Sequence, residues 1–320
     1  MPLPKLDTLF LLLALILSLP VGAQTLSERM GYPSDSKLLI LHGDDLGMCQ
    51  AANESARIGF TRGLLSSGSV MVPCPAFEEM ARWSQKHPDH DLGIHLTLNA
   101  EWSSYRWPSV SDPAQVPGLI DPEGFLWKNV EDVLRHSNRK EVETELRAQI
   151  RRARSAGLDP THLDSHMGTL FSSASFFLTY LRVARQENIV AMVPRPAGKV
   201  LQDLKSKGLD GLAQVMLRLA DKQGFPIVDR LESVDGHGYV ERKAWLLQLI
   251  KTLEPGVTEV ILHPSTEGPE IRKITRMAQD RIDDHNLLLD PEIRDTIKRH
   301  GIQIVHWREI NNWWNRSRKR

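Results

Sequence analysis

Short apolar runs recur along the chain, and between them lie longer stretches whose apolar residues return every three to four positions. The runs KLLILH (37–42), SGSVMVP (67–73), DLGIHLTL (91–98), PTHLDSH (160–166), IVAMVP (189–194), IVDRLES (227–233), VTEVILH (257–263) and IQIVHW (302–307) read as strands. The intervening EVETELRAQIRRARSAG sets Val142, Leu146, Ile150 and Ala153 on one helical face and stops at Gly157. ERKAWLLQLIKTLEPG does the same with Trp245, Leu246, Leu249 and Leu253 and stops at Pro255-Gly256. Strand alternating with helix predicts an α/β protein with a largely parallel sheet. Seven to eight such units predict a distorted (β/α) barrel in a single domain over residues 30–314, with a doubly wound open sheet as the alternative. In both folds the chemistry sits at the C-terminal ends of the strands.

One stretch breaks the rhythm. Residues 99–138 carry Trp102, Tyr105, Trp107, Phe125 and Trp127 among prolines and aspartates. A connection this long in a compact domain is functional or disordered, and its aromatics argue against disorder. Asn99 and Trp102, at its head, are candidates for contacting a substrate or for supporting the site from behind.

The first residues do not belong to this pattern. Lys5, an apolar run from Leu9 to Leu19 and the small-residue site Val21-Gly22-Ala23 have the shape of a secretory leader over 1–23. The run is short for a membrane span, which takes about 20 apolar residues. The expectation is an exported protein, periplasmic or extracellular, with no stable span after cleavage. Export would permit a disulfide between the two cysteines, Cys49 and Cys74. The 320 residues have no net charge and a pI of about 7.2, so bulk charge supports no nucleic-acid partner. The basic end NRSRKR (315–320) reads as a solvated tail.

Polar residues gather where the strands should stop. Asp44 and Asp45 end the first run, His95 lies in the third, His162, Asp164 and His166 in the fourth, and His263 ends the seventh. Residues two apart in a strand share a face. At about 3.3 Å per residue, His162 and His166 are roughly 13 Å apart along it, too far to share one metal. His166, nearer the C-terminal end, is the better ligand, and Asp164 could support a ligand histidine from behind. That leaves His95, His166 and one aspartate, Asp44 or Asp45. Two histidines and a carboxylate suit a catalytic divalent metal, which activates water and polarises a carbonyl. The other aspartate can take a proton from water, and His263 could protonate a leaving group.

In order, LLILHGDDLGMCQAANES, LGIHLTLN, PTHLDSHMG and VILHPS resemble the motifs of the YdjC/ChbG carbohydrate deacetylases, and the region from Arg272 to Ile310 is similar to that family's C-terminal part. The resemblance covers about Lys37 to Ile310. It implies a distorted barrel, magnesium or zinc as cofactor, and hydrolysis of an N-acetyl group on an amino sugar. The more distant NodB-type polysaccharide deacetylases have a similar Asp-His-His site. Carried over from them, Asp44 is the base, and Asp45, His95 and His166 hold the metal. His263 matches the late His-Pro motif as general acid, and Arg195 in VPRPAG matches an arginine that positions site or substrate. Where many members continue the fourth motif with further histidines, this chain has Gly168 and Leu170. Two other readings remain: a different metal-dependent amide or ester hydrolase on the same barrel, and a glycan-binding protein without catalysis. A serine hydrolase fits worse, since no GxSxG motif is present.

Overall fold

Leu38, Leu39, Ile40 and Leu41 are all buried. A strand is apolar without alternation when both of its faces are covered, one by the barrel interior and one by helices. This strand, β1 (Lys37–Leu46), is central in a computed structural model describing residues 24–319. The leader expected at 1–23 and Arg320 of the basic tail lie outside the described residues.

The remaining strands are β2 (Ser67–Val70), β3 (Leu92–Leu96), β4 (His162–Ser165), β5 (Val190–Ala191), β6 (Pro194–Pro196), β7 (Val228–Ser233), β8 (Gly256–Leu262) and β9 (Gln303–Ile304). Each of the eight apolar runs contains a strand, and all the strand pairings are parallel. The order β5-β4-β3-β2-β1-β8-β7-β6 puts β5 and β6 at its two ends, yet only Met192-Val193 separates them in the chain. One extended segment thus pairs with β4 at its start and with β7 at its end, giving the distorted barrel. β9 pairs with Leu38 and Leu39 of β1, below β2.

The helix Arg139–Ser155 follows its pattern: Val142, Leu146, Ile150 and Ala153 are buried. Asn138 and Glu141 close its first turn as a capping box, and Gly157 follows at φ 80°. The second predicted helix, Gly238–Lys251, ends earlier than its proline suggested. Leu253 falls in the connection and Gly256 already opens β8, so Leu246, Leu247 and Ile250 form the buried face.

Residues 99–138 are ordered by their own contacts. The Trp107 indole N–H donates to the Asn99 carbonyl (3.1 Å), and Trp127 donates to that of Gly118 (2.8 Å). Arg106 pairs with Asp121 at 2.6 Å, and the Glu145 carboxylate accepts from the amides of Val110 and Ser111. Cys49 and Cys74 are buried free thiols. Burial pushes the Cys49 thiol up to about 12, which leaves little thiolate for nucleophilic chemistry. Among the described residues no helix is long and apolar enough to cross a membrane.

The floor of the barrel is polar. His162 is fully buried, stacked on Trp307 at 5.2 Å, and it fills the space over Gly93. A Cβ on Gly93 would lie 2.5 Å from the imidazole, which Trp307 blocks from retreating. Gly93→Ala is therefore expected to cost about 1–3 kcal/mol through overpacking. A urea titration should show a lower midpoint at unchanged slope.

Candidate active site

Asp44 and Asp45 occupy a bulge. β1 pairs with β2 as His42–Ser67 and Gly43–Gly68, then resumes at Leu46–Val70, so the two aspartates face Ser69 alone. In an unbroken strand adjacent side chains point to opposite faces. Here Asp45 takes a left-handed conformation, φ 60°, which aspartate tolerates better than most residues. The bulge brings both carboxylates to the same end of the barrel.

Three donors converge there. Asp45 Oδ1 lies 3.4 Å from His95 Nε2 and 3.2 Å from His166 Nδ1, and the three atoms fit within 4.8 Å of one another. His166 does not end β4 as its run suggested. It opens a short 3-10 turn, and the left-handed Met167 and Gly168 carry the chain away behind it. Asp44 sits beside this group, with Oδ2 3.9 Å from His95 Nε2 and 3.8 Å from His263 Nε2. Asp45 is 2 % exposed, whereas the side chains of Asp44 and His263 are 13 % and 39 % exposed. The three donors are buried, and Asp44 and His263 are partly exposed.

Each inner donor is held from behind. Asp45 Oδ2 accepts from Arg281 at 2.6 Å. His95 Nδ1 donates to Asp164 Oδ1 at 2.8 Å, and His166 Nε2 donates to Glu101 Oε2 at 2.9 Å. Asp164 also accepts from Ser69 at 2.6 Å and faces His42 Nε2 at 3.2 Å.

The charges follow from these pairs. Burial would raise the Asp45 pKa, but Arg281 and the two histidines hold it well below the usual carboxylate range. Burial works against charging His95, yet Asp164 and Asp44 raise its pKa well above the ordinary value. Against the same penalty, Glu101 and Asp45 raise His166 to about 9. Asp164 and Asp44 likewise take His42 to about 10. Burial lifts Glu259, which faces His42 Nδ1 at 3.5 Å, to about 7. His162 is pushed well down by burial and the neighbouring His42.

This donor set fits a divalent metal. Asp45 Oδ1 is buried and has no hydrogen-bond partner, although two imidazole nitrogens face it. The other groupings fit less well, since Asp164 already receives hydrogen bonds from His95 and Ser69. The remaining candidates fall as follows. Asn99 is buried and accepts from Thr169 at 2.9 Å, so it props the loop beside Glu101. Trp102 lies over the Arg281 guanidinium at 5.5 Å. Arg195, on β6, makes no hydrogen bond or ion pair with the cluster among the described residues, and its charge acts on Asp229. Asp229 accepts from Val257 at the opposite end of β8 from His263.

The family model for YdjC-like proteins matches residues 38–299. The chain belongs to the YdjC-like family. The matched span of this YdjC-like chain contains Asp44, Asp45, His95, Glu101, His166, His263 and Arg281, whereas Trp307 lies beyond it. A carbohydrate deacetylase of Thermus thermophilus is 32 % identical over 89 % of this chain and 97 % of its own length. One from Geobacillus stearothermophilus is 27 % identical over 85 % and 97 %. A crystal structure from Enterococcus faecalis V583, of a candidate cellobiose-phosphate cleavage protein, shares the fold. Its TM-score is 0.72 at 22 % identity, over 85 % of this chain and 98 % of that one.

Sequence reading of the YdjC-like motifs missed Glu101, Arg281, His42 and Ser69. His42 had a signal, since it stands two residues before Asp44 in a strand and so shares its face. Arg281 and Asp284 had one too, being three apart on the helix Ala278–Leu289. Asp284 accepts from the His263 backbone N–H at 2.8 Å and pairs with Arg242.

Proposed function

We propose that this protein is a metal-dependent carbohydrate deacetylase that hydrolyses the N-acetyl group of amino sugars. The observation that carries the reading is the set of Asp45, His95 and His166 donors, with the partly exposed Asp44 and His263 beside it. The names of the relatives supply the substrate class. Asp45 Oδ1, His95 Nε2 and His166 Nδ1 would hold the ion, and two imidazoles with one carboxylate suit zinc better than magnesium, which prefers oxygen. A bound dication polarises the acyl carbonyl and makes water more acidic.

The chain's own groups divide the proton transfers. Asp44, whose side chain is partly exposed, takes a proton from the attacking water. His263, its backbone fixed by Asp284, gives a proton to the departing amine. Water adds to the carbonyl carbon, the C–N bond breaks, and acetate and a free amine leave. Arg281 fixes the Asp45 rotamer so that Oδ1 faces the imidazoles. Trp102, at the head of the aromatic segment, is the proposed stacking partner for a sugar ring. The leader-like residues 1–23 support placing this reaction outside the cytoplasm, on a periplasmic or extracellular glycan.

The test is metal content together with acetate release from N-acetylglucosamine oligomers. The expected result is close to one metal per chain, activity lost on chelation and restored by zinc. Full activity in chelator would overturn the metal reading. Cleavage of acetyl esters or aryl phosphates, with none of N-acetyl sugars, would move the protein to another hydrolase class.

A further inference from the structure

An imidazole presents two nitrogens, and what one binds decides where the other points. His95 and His166 use them in opposite senses. His95 turns Nε2 toward Asp45 and anchors Nδ1 on Asp164, while His166 turns Nδ1 toward Asp45 and anchors Nε2 on Glu101. Asp164 belongs to β4, and Arg281, behind Asp45, belongs to a helix. Glu101 belongs to no strand or helix: it stands in the irregular segment that follows β3, where the Asn99 side-chain amide donates to its Oε2 at 3.4 Å.

That segment is nonetheless pinned at this point. The Asn99 carbonyl accepts from Trp107, the Ala100 N–H donates to the Trp127 carbonyl at 2.7 Å, and the Asn99 side chain accepts from Thr169. Two consecutive residues then reach the backs of two different donors. Glu101 touches His166, and Trp102 covers the Arg281 that holds Asp45. The Glu101 side chain is 20 % exposed, against 4 % for the His166 it contacts.

We propose that Glu101 is a positioning residue: its carboxylate fixes His166 with Nδ1 facing Asp45, so that metal retention depends on the aromatic segment being docked. The inference rests on the metal reading above. A carboxylate that accepts the far N–H of a ligand histidine sets its tautomer and ring orientation, and its loss costs about 10–100-fold in metal affinity.

The experiment compares the full chain with Glu101→Ala, Glu101→Gln and Glu101→Asp, each stripped of metal. Zinc affinity is measured by competition with a chromophoric chelator, and cobalt(II) absorption reports the ligand geometry. Melting of the metal-free forms controls for folding. Glu101→Ala is expected to bind zinc about 10–100-fold more weakly. Glu101→Gln, whose amide oxygen still accepts the Nε2–H, should recover most of that affinity. Glu101→Asp keeps the charge but falls one methylene short, so it should resemble Glu101→Ala, and it serves should the alanine variant fail to fold. Wild-type affinity and cobalt spectrum in Glu101→Ala or Glu101→Asp would overturn the proposal. So would an equal loss in Glu101→Gln, because charge rather than hydrogen bonding would then be what the site needs. A wild-type chain that binds neither ion would instead overturn the metal reading itself.

Discussion

Asp44→Asn is expected to lower kcat for acetate release by about 10²–10⁴-fold, the usual worth of a general base, while zinc content stays at the wild-type level. The amide keeps the shape of the carboxylate in a position where shape matters. Asp44 Oδ1 lies 3.3 Å from His42 Nε2, and Oδ2 faces His95 and His263. What the variant loses is the capacity to take a proton. Parallel metal analysis and steady-state kinetics separate the possible roles. A kcat near the wild-type value would remove Asp44 from the reaction. A joint loss of zinc and activity would exchange the roles of the two aspartates, making Asp44 the ligand.

Asp45→Ala should act on metal and fold together. It removes the only carboxylate among the three donors, so zinc binding should vanish. It also strands Arg281, which is 7 % exposed and whose Nε and Nη1 already have no hydrogen-bond partner. Removing one member of a buried ion pair costs about 3–5 kcal/mol, mostly from the charge left behind. Alanine at a left-handed φ adds roughly 1–2 kcal/mol of backbone strain. Urea unfolding of the metal-free proteins should therefore show a large drop in midpoint. Adding Arg281→Met should recover much of the stability but no metal binding. If the double variant is no more stable than Asp45→Ala, the stranded guanidinium is not the cause.

The contrast between these two neighbours marks what a sequence can show. The strand runs were legible because burial on both faces leaves a continuous apolar signature, as in Leu38 to Leu41. The histidines and aspartates were legible because the fold class says which end of a strand carries chemistry. Of the groups behind them, Asp164 was read from its place on the strand, and the others were not. Arg281 meets Asp45 across 236 residues, and Glu101 meets His166 across 65 from a segment with no periodicity. Nor did alternation along β1 foretell that Asp44 and Asp45 would point the same way, because that depends on a bulge against Ser69. His166 fell outside its expected strand for a similar local reason, the left-handed pair Met167-Gly168.

The buried pair of Asp45 and Arg281 also sets a schedule. Asp45 leaves the ribosome long before Arg281 and Trp307, and at about 5–20 residues per second the delay is on the order of tens of seconds. Throughout it the first donor has no guanidinium behind it, and His162 has no indole to stack on. A nascent chain, or one shortened before the helix Ala278–Leu289, holds all the proposed site residues, but lacks the guanidinium behind Asp45 and the Asp284 carboxylate that fixes the His263 backbone. If Asp45 holds the proposed metal, tight loading is expected only after the helix Ala278–Leu289 has been made and Arg281 has reached Asp45.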